Sequence, residues 1–239
     1  MHSMTLASLT LPQLSIALIP VTLVLGIMWY WGLRVGHALH ALARMLLQLL
    51  LIGYVLIFIF DAAASPAVLG VLAVMILASS WIALNTLDPG QRAPLFGASL
   101  IAILLGGGLT LALITQGVLQ LDPWYEPRYM IPLAGMIFAN AMTSISLAAE
   151  RQQSELSNGR TADQARLTAY QTAMIPVVNS LFAVGLVSLP GMMTGQILSG
   201  VSPFIAARYQ IMVMCMIFGS AGISTALFLY YSQRSRPSS

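Results

Sequence analysis

Apolar residues fill most of this chain in long blocks, and short polar segments separate the blocks. A bilayer core of about 30 Å needs roughly 20 apolar residues per helix, so each block predicts a membrane-spanning helix. The pattern therefore predicts an all-α, polytopic integral membrane protein in which residues 1–239 form a single transmembrane domain. The seven predicted spans are residues 14–33, 45–60, 66–84, 94–119, 130–149, 173–195 and 209–231.

Composition supports a membrane protein and excludes several functions. Hydrophobic residues make up 58% of the chain and charged residues only 7%, against about 25% charged in soluble domains. The sequence has no lysine, so it can build neither a nucleotide-binding P-loop nor a retinal Schiff base. Scattered arginines argue against a nucleic-acid partner. No catalytic triad, HExxH motif or pair of catalytic carboxylates is visible, so an enzyme is not expected.

The distribution of arginines predicts the orientation of the spans. Cytoplasmic loops of membrane proteins carry an excess of basic residues. An outside N-terminus and an inside C-terminus place eight arginines on the cytoplasmic side and two, Arg128 and Arg208, on the other. The eight are Arg34, Arg44, Arg92, Arg151, Arg160, Arg166, Arg234 and Arg236.

A polar stripe precedes the second predicted span. Arg34, His37, His40 and Arg44 recur every three or four residues, which predicts an interfacial elbow helix on the cytoplasmic surface. The second span can also extend backward through residues 38–43. A metal site at His37 and His40 is disfavoured, because no acidic or thiol partner lies nearby in the sequence.

Residues 150–172 form the one long polar segment between predicted spans. Asn158 and Gly159 predict the end of one helix. Thr161 and Gln164 have the spacing of a capping box and predict the start of another. The pattern alone leaves open whether the segment is a solvated connector or a short helix that docks a soluble partner.

Residues 185–210 begin as a membrane helix and are then interrupted at Pro190, Gly191, Gly195, Gly200 and Pro203. Proline removes a backbone donor and glycine lowers helix stability. Within hydrocarbon, a freed backbone group must find a partner in the protein or in a water-lined cavity. The interruption therefore predicts a functional element, either a re-entrant gate or an outer hinge.

Polar side chains within the predicted spans are candidates for a transport path, because they are costly in lipid. Asn140 and Asn179 are the strongest, since they lie on the spans that flank the polar segment. The alternative is that they form hydrogen bonds between helices.

The run Gly106–Gly107–Gly108 in the fourth predicted span has two interpretations. Glycine lets two helix backbones approach closely, so the run predicts tight packing. It equally fits a flexible point in the span.

Sulfur-containing residues cluster late in the chain. Met192 and Met193 are followed by Met212, Met214, Cys215 and Met216. Thioethers and thiols suit soft ions such as Cu(I), but methionine also fills irregular apolar packing. Packing is the favoured interpretation, because the three later methionines cannot all face one side of a helix.

Several motifs between about Arg44 and Tyr231 occur in a recognisable order. They are RMLLQ from Arg44, IGYVL from Ile52, IPLAGM from Ile131, NAM from Asn140, AMIP from Ala173, NS from Asn179 and VGLVSLPGMM from Val184, then Gly195, Gly200, Pro203 and Tyr209-Gln210. Together they resemble the FetB-type permease family, ABC-transporter membrane subunits linked to bacterial iron export, with plant relatives linked to aluminium tolerance.

The resemblance implies a membrane-spanning permease subunit of an ABC exporter in the bacterial cytoplasmic membrane, exporting a metal such as iron. It implies a homodimer that works with a separate ATP-binding subunit. ATP and Mg²⁺ would bind that partner, and this chain would hold no cofactor. A cytoplasmic coupling helix is implied between spans five and six. Its residues here are Leu156, Gly159, Arg160, Thr161, Ala162, Asp163, Gln164 and Ala165. Asn158 and Arg160 depart from the family pattern, in which an apolar residue and a small residue are usual at these positions.

The predicted translocation path or gate lies in and between the predicted spans five to seven. Its residues are Asn140, Asn179, Pro190, Gly191, Met192, Met193, Gly195, Gln196, Arg208 and Gln210. A metal-ligand set is not identified. The alternative functions are a seven-span receptor or signalling protein, and an ion-coupled secondary transporter. The receptor does not explain the Pro/Gly/Met tract, and the inverted repeats and buried acidic residues typical of secondary transporters are not evident.

Overall fold

A computed structural model describes residues 10–62 and 64–234, and the regular elements in these ranges are helical. The helices are α1 (Leu11–Ile16), α2 (Ile19–Tyr30), α3 (Val35–Ala62), α4 (Ser65–Ile82), α5 (Pro89–Ala102), α6 (Gly108–Ala112), α7 (Pro127–Ser157), α8 (Ala162–Ala183), α9 (Gly191–Leu198) and α10 (Pro203–Arg234). Two π-helical segments, π1 (Ile103–Gly107) and π2 (Leu113–Val118), flank α6. The chain divides into two compact units, residues 1–61 and 62–239.

The first unit holds α1, α2 and nearly all of α3. The elbow helix predicted before span two does not form as a separate element, because α3 continues without interruption from Val35 into the apolar span. Residues 38–44 include three alanines and two leucines, which are strong helix formers. His37 and His40 are exposed on the first turns of α3. Helices that are apolar and exposed all round are typical of membrane spans.

The second unit is built around α7, α8 and α10, which pack against one another. Small residues make these contacts close. Ala134, Ala141 and Ala148 recur every seven residues on α7 and are 0% exposed. Three alanines of α8 recur every four residues and are equally buried, namely Ala165, Ala169 and Ala173. Stripes of small residues let membrane helices approach closely.

The fourth predicted span is helical from Pro89 to Val118, but two of its parts are π-helical. A Cβ atom on Gly106 would lie 2.7 Å from the backbone nitrogen of Ser224 on α10. A Cβ atom on Gly107 would lie 3.0 Å from the ring of Phe138 on α7, whereas one on Gly108 would meet open space. Tight packing, rather than flexibility, is therefore the role of Gly106 and Gly107.

Six helices within the described residues are long and apolar enough to span a membrane. They are Pro12–Tyr30, Val35–Phe60, Ser65–Ile82, Pro89–Val118, Pro127–Ser157 and Pro203–Gln233. The sixth predicted span, residues 173–195, is wrong as a continuous helix. Helix α8 ends at Ala183, because the backbone is extended at Val184 and takes a positive φ of 83° at Gly185.

The neighbouring helices are longer than predicted. Helix α7 continues past residue 149 to Ser157, and α10 begins at Pro203 instead of residue 209. Helix α8 begins at Ala162, so the predicted short coupling helix forms no separate element. Its residues instead make the turn and the first helical turn of an antiparallel α7–α8 hairpin.

Candidate functional site

The α7–α8 turn, residues 158–161, is stabilised by a glycine-capped helix end. The Gly159 N–H donates to the carbonyl of Leu156 and the Arg160 N–H to that of Glu155, both at 3.1 Å. Gly159 has a φ of +79°, a left-handed conformation that a Cβ disfavours. This is the Schellman arrangement, and it confirms the helix end predicted at Asn158 and Gly159.

The start of α8 confirms the predicted capping box. The backbone N–H of Gln164 donates to Thr161 Oγ1 at 3.3 Å, and the Thr161 N–H donates to Gln164 Oε1 at 3.3 Å. Nearby ion pairs add further contacts. Glu155 pairs with Arg151 at 2.6 Å, and Asp163 pairs with Arg166 at 3.0 Å. The turn is thus held by backbone, side-chain and charge interactions at once.

The residues predicted to contact an ATPase form one continuous surface at this turn. Leu156 is half-buried and Ala165 is buried, whereas residues 157–164 are all exposed. Buried Ala165 anchors the first turn of α8 against its neighbours. The structure therefore brings Gly159, Arg160, Thr161, Ala162, Asp163 and Gln164 together at an exposed hairpin tip.

Sequence reasoning missed the residues that tie α10 to this turn. Gln233 Nε2 donates to the carbonyl of Ala162 at 3.2 Å, and Gln233 Oε1 accepts from Arg166 Nη1 at 3.3 Å. Ser232 Oγ donates to Gln152 Oε1 on α7 at 3.2 Å, and both side chains are buried. The end of α10 is thus hydrogen-bonded to both arms of the hairpin. The sequence signal for these bonds was three polar side chains, Gln152, Ser232 and Gln233, near the ends of otherwise apolar helices.

Asn140 and Asn179 lie at the same level of the hairpin. One is 19 residues before Gly159 and the other is 20 residues after it, so two antiparallel helices carry them equally far from the turn. Asn140 is half-buried and its Nδ2 donates to Met136 of its own helix at 2.8 Å. Asn179 is exposed. The two residues therefore lie equally far along neighbouring helices, but no hydrogen bond connects their side chains.

The break after α8 consists of a loop, the short helix α9 and a second glycine cap. Leu186 and Val187 in the loop are 90% and 84% exposed. Pro190 is the residue before α9, and Gly191 and Gly195 lie exposed on it. Helix α9 ends where Gly200, with a φ of +92°, donates to the carbonyl of Ile197 at 3.0 Å.

A cavity of about 350 Å³ lies between the end of α8, the loop, α9 and α10. We name it the α8–α10 cavity. Its lining residues are Leu181, Val184, Gly185, Met193, Ala207, Gln210, Ile211, Met214 and Cys215. Gln210 is only 5% exposed, and its Oε1 atom has no hydrogen-bond partner.

The cavity includes two of the predicted gate residues, Met193 and Gln210. Met192 and Gln196 lie half-buried on α9, and Arg208 is exposed on α10, but none of them lines the cavity. Sequence reasoning missed two lining residues, Met214 and Cys215, as site members. The sequence signal for these two residues was the cluster of sulfur-containing residues late in the chain, which we expected to serve packing.

The turn and the cavity occupy opposite ends of α8. This helix has 22 residues, so its ends are about 33 Å apart at 1.5 Å per residue. Helix α10 packs against both α8 and α9, and it meets the cavity near its start and the turn near its end. Two continuous helices therefore connect the exposed tip to the cavity.

Comparisons with known proteins agree with the resemblance drawn from the motifs. The model of the "Uncharacterised protein family (UPF0014)" matches residues 11–236. The "UPF0014 membrane protein slr1647" of Synechocystis is 36% identical over 84% of this chain and 83% of the relative. The "Probable iron export permease protein FetB" of Escherichia coli is 37% identical over 82% of this chain and 80% of the relative.

A plant protein is similarly related. "Protein ALUMINUM SENSITIVE 3" of Arabidopsis thaliana is 35% identical over 82% of this chain and 75% of the relative. No solved structure matches the chain. The family match covers nearly the whole sequence, and the bacterial and plant relatives confirm the resemblance to iron-export permeases and aluminium-sensitivity proteins. This chain belongs to the UPF0014 family of integral membrane proteins.

Proposed function

We propose that this protein is the permease subunit of an ABC exporter and works as a homodimer with a separate ATP-binding subunit in the cytoplasmic membrane of a bacterium. The printed name of the Escherichia coli relative supports a permease and suggests iron as the exported substrate. The observation that carries the proposal is the exposed α7–α8 turn, which hydrogen bonds connect to α10. A soluble ATPase can move a membrane subunit only through an exposed, rigid element that transmits the movement.

The helix packing supports a seventh crossing by α8. Helix α8 runs antiparallel to α7, and its first residue meets the end of α10 through Gln233. It measures about 33 Å, and together with the apolar residues of the loop that follows it is long enough to cross a bilayer core of about 30 Å. With α8 counted, the turn and the end of α10 lie on the cytoplasmic side, as the arginine distribution predicts. The α8–α10 cavity then lies toward the outer side.

The asparagines mark the level of the proposed path. Asn140 lies ten residues beyond the polar Glu150, which places it about 15 Å into a core of about 30 Å. Transporter sites commonly lie near this midplane. An exposed amide such as Asn179 is costly against lipid, so we place it toward the path or the second protomer.

The proposed mechanism follows from these connections. ATP-driven closure of the partner subunits pushes the α7–α8 turn. Because Gln152 binds Ser232 and Ala162 binds Gln233, the push reaches α10 as well as α7 and α8. The three helices shift together, and their movement changes the packing of α9 beside the outer cavity. Access to the path near Asn140 and Asn179 then alternates between the two sides.

The partner subunit can be tested by purification and transport. The tagged chain is purified in mild detergent, and co-purifying ATP-binding proteins are identified by mass spectrometry. The complex is then reconstituted into liposomes and assayed for ATP-dependent movement of ferrous iron. Replacing residues 159–165 by a flexible linker is expected to abolish ATP-driven transport.

A gentler variant separates coupling from folding. Arg160→Ala removes an exposed side chain whose ion pair with Glu155 is long, at 3.8 Å. It should lower ATPase binding at least tenfold, while Arg208→Ala, at the other end of the second unit, leaves it unchanged. Retained ATP-driven transport by the linker variant would refute the coupling role of the turn. Absence of any ATP-binding partner would refute the ABC assignment.

A further inference from the structure

The α8–α10 cavity combines soft sulfur ligands with an unsatisfied oxygen. Met193 enters it from α9, whereas Met214 and Cys215 enter it from α10. Gln210 lies one helical turn before Met214 on the same face, and its buried Oε1 atom has no partner. A buried carbonyl oxygen without a donor costs free energy, and a bound cation would remove that cost.

Of the six sulfur-containing residues late in the chain, Met193, Met214 and Cys215 line the cavity and the other three do not. Met192, Met212 and Met216 are absent from its lining, and Met216 is 1% exposed within the helix packing. Packing accounts for Met216. Met193 is half-buried, Met214 is 9% exposed and Cys215 is exposed, and all three line the open volume of about 350 Å³.

Ligand chemistry and charge together select the class of cation. Thiolate and thioether ligands favour soft ions such as Cu(I) over hard ones. A thiolate carries one negative charge, so a monovalent cation forms a neutral group with Cys215, whereas a divalent cation leaves one positive charge. An uncompensated charge is very costly in apolar surroundings. Among the described residues, no cluster of three or more histidine, cysteine or acidic groups offers a harder site.

We propose that the α8–α10 cavity binds a monovalent soft metal cation of the Cu(I) class. The Cys215 thiol loses its proton to solvent as the metal–sulfur bond forms. The thioethers of Met193 and Met214 and the Gln210 carbonyl oxygen complete the ligand set. Methionine has three rotatable bonds, so the Met193 side chain can adapt to a bound ion. This binding site does not rest on the proposed export function, and it is measurable without an ATPase.

The test titrates the full chain in nanodiscs with Cu(I) against a coloured Cu(I) chelator. We expect one Cu(I) per chain. Cys215→Ser should abolish binding, and Met193→Leu and Met214→Leu should each weaken it at least tenfold. Met212→Leu is the matched control, because this methionine lies on α10 outside the cavity lining, and its affinity should equal that of the parent chain.

Cysteine labelling gives a second readout, since Cys215 is the single cysteine of the sequence. Ag(I) should protect it from a maleimide in the parent chain, and the Met193→Leu/Met214→Leu variant should need at least tenfold more Ag(I). Equal protection in both proteins means a lone reactive thiol and overturns the proposal. Absence of stoichiometric Cu(I) binding also overturns it. Ferrous iron binding as tightly as Cu(I) would overturn the charge argument.

Discussion

Two bends of the second unit share one backbone motif, and their surroundings differ. At Gly159 and at Gly200, a left-handed glycine ends a helix with the same pair of backbone hydrogen bonds. Around the first bend, side chains form a capping box, ion pairs and hydrogen bonds to α10. Around the second, residues 198–200 are exposed, and the buried amide oxygens Gln196 Oε1 and Gln210 Oε1 have no hydrogen-bond partner.

Under the proposed mechanism, this difference separates the element that transmits a force from the element that responds to it. A bend held by many independent interactions moves as a rigid body, so a force applied to it reaches the helices behind it. A bend with unsatisfied polar groups and few buried contacts has low local stability, and moving or ligand-binding elements are drawn from such regions. The α7–α8 turn fits the first description, and the loop with α9 fits the second.

The largest predicted effect concerns α10, the helix that connects the two bends. Gly106→Ala would place a methyl group 2.7 Å from the backbone nitrogen and 2.9 Å from the Cα atom of Ser224. Backbone atoms cannot rotate away, so we expect a loss of about 3 kcal/mol from overpacking. Thermal unfolding in detergent measures it. Gly108→Ala is the control, since its Cβ meets open space, and equal melting temperatures for both variants would contradict the packing described for α10.

The next effect tests the hydrogen bonds at the α7–α8 turn. Ser232→Ala leaves the buried Gln152 Oε1 without its donor, and such a loss costs about 2 kcal/mol. Ser224→Ala is a matched control on the same helix, because the buried Ser224 Oγ has no partner to lose. We expect Ser232→Ala to lower the unfolding temperature and Ser224→Ala to leave it unchanged or raise it. The reverse order would contradict a stabilising role of the hydrogen bond between Ser232 and Gln152.

Local patterns in the sequence predicted the turn itself, whereas the bonds that tie the turn to α10 join distant residues. Asn158, Gly159, Thr161 and Gln164 act on backbone groups a few residues away, so their spacing was sufficient. The bond between Gln233 and Ala162 joins residues 71 positions apart, and no local pattern reveals it.

The sixth predicted span was wrong for a related reason. Leu186, Val187 and Leu189 are apolar, so they extend a hydropathy pattern that their backbone does not follow. The predicted elbow forms no separate helix, because a polar stripe at the start of a helix has the same sequence pattern whether the helix stops or continues. Predicting the cavity required knowing that α9 folds back against α10, so that Met193 and Met214 line the same cavity. Helical class and approximate spans were predictable, because composition and block length determine them.

A smaller effect compares the glycines of the two regions directly. Gly159→Ala forces a side chain into a left-handed conformation with a φ of +79°, which costs about 1 kcal/mol. Gly195→Ala, within α9 and facing open space, should instead gain about 0.5 kcal/mol, because alanine favours a helix over glycine. Thermal unfolding shows whether each variant is less or more stable than the parent protein. If the proposed coupling holds, Gly159→Ala also lowers ATP-driven transport, and a variant that keeps full coupling would argue against a rigid turn.

The smallest predicted change in stability concerns Gln210, whose buried amide oxygen forms no hydrogen bond in the fold. Gln210→Leu replaces the unpaired polar group by an apolar side chain that cannot bind a metal ion. Removing a buried oxygen without a partner should leave stability unchanged or raise it by up to about 1 kcal/mol. If Gln210 serves a ligand or a moving helix, the same variant loses transport while its melting temperature holds or rises. A clear drop in melting temperature would show that Gln210 stabilises the resting structure, and the break would then be as firmly held as the turn.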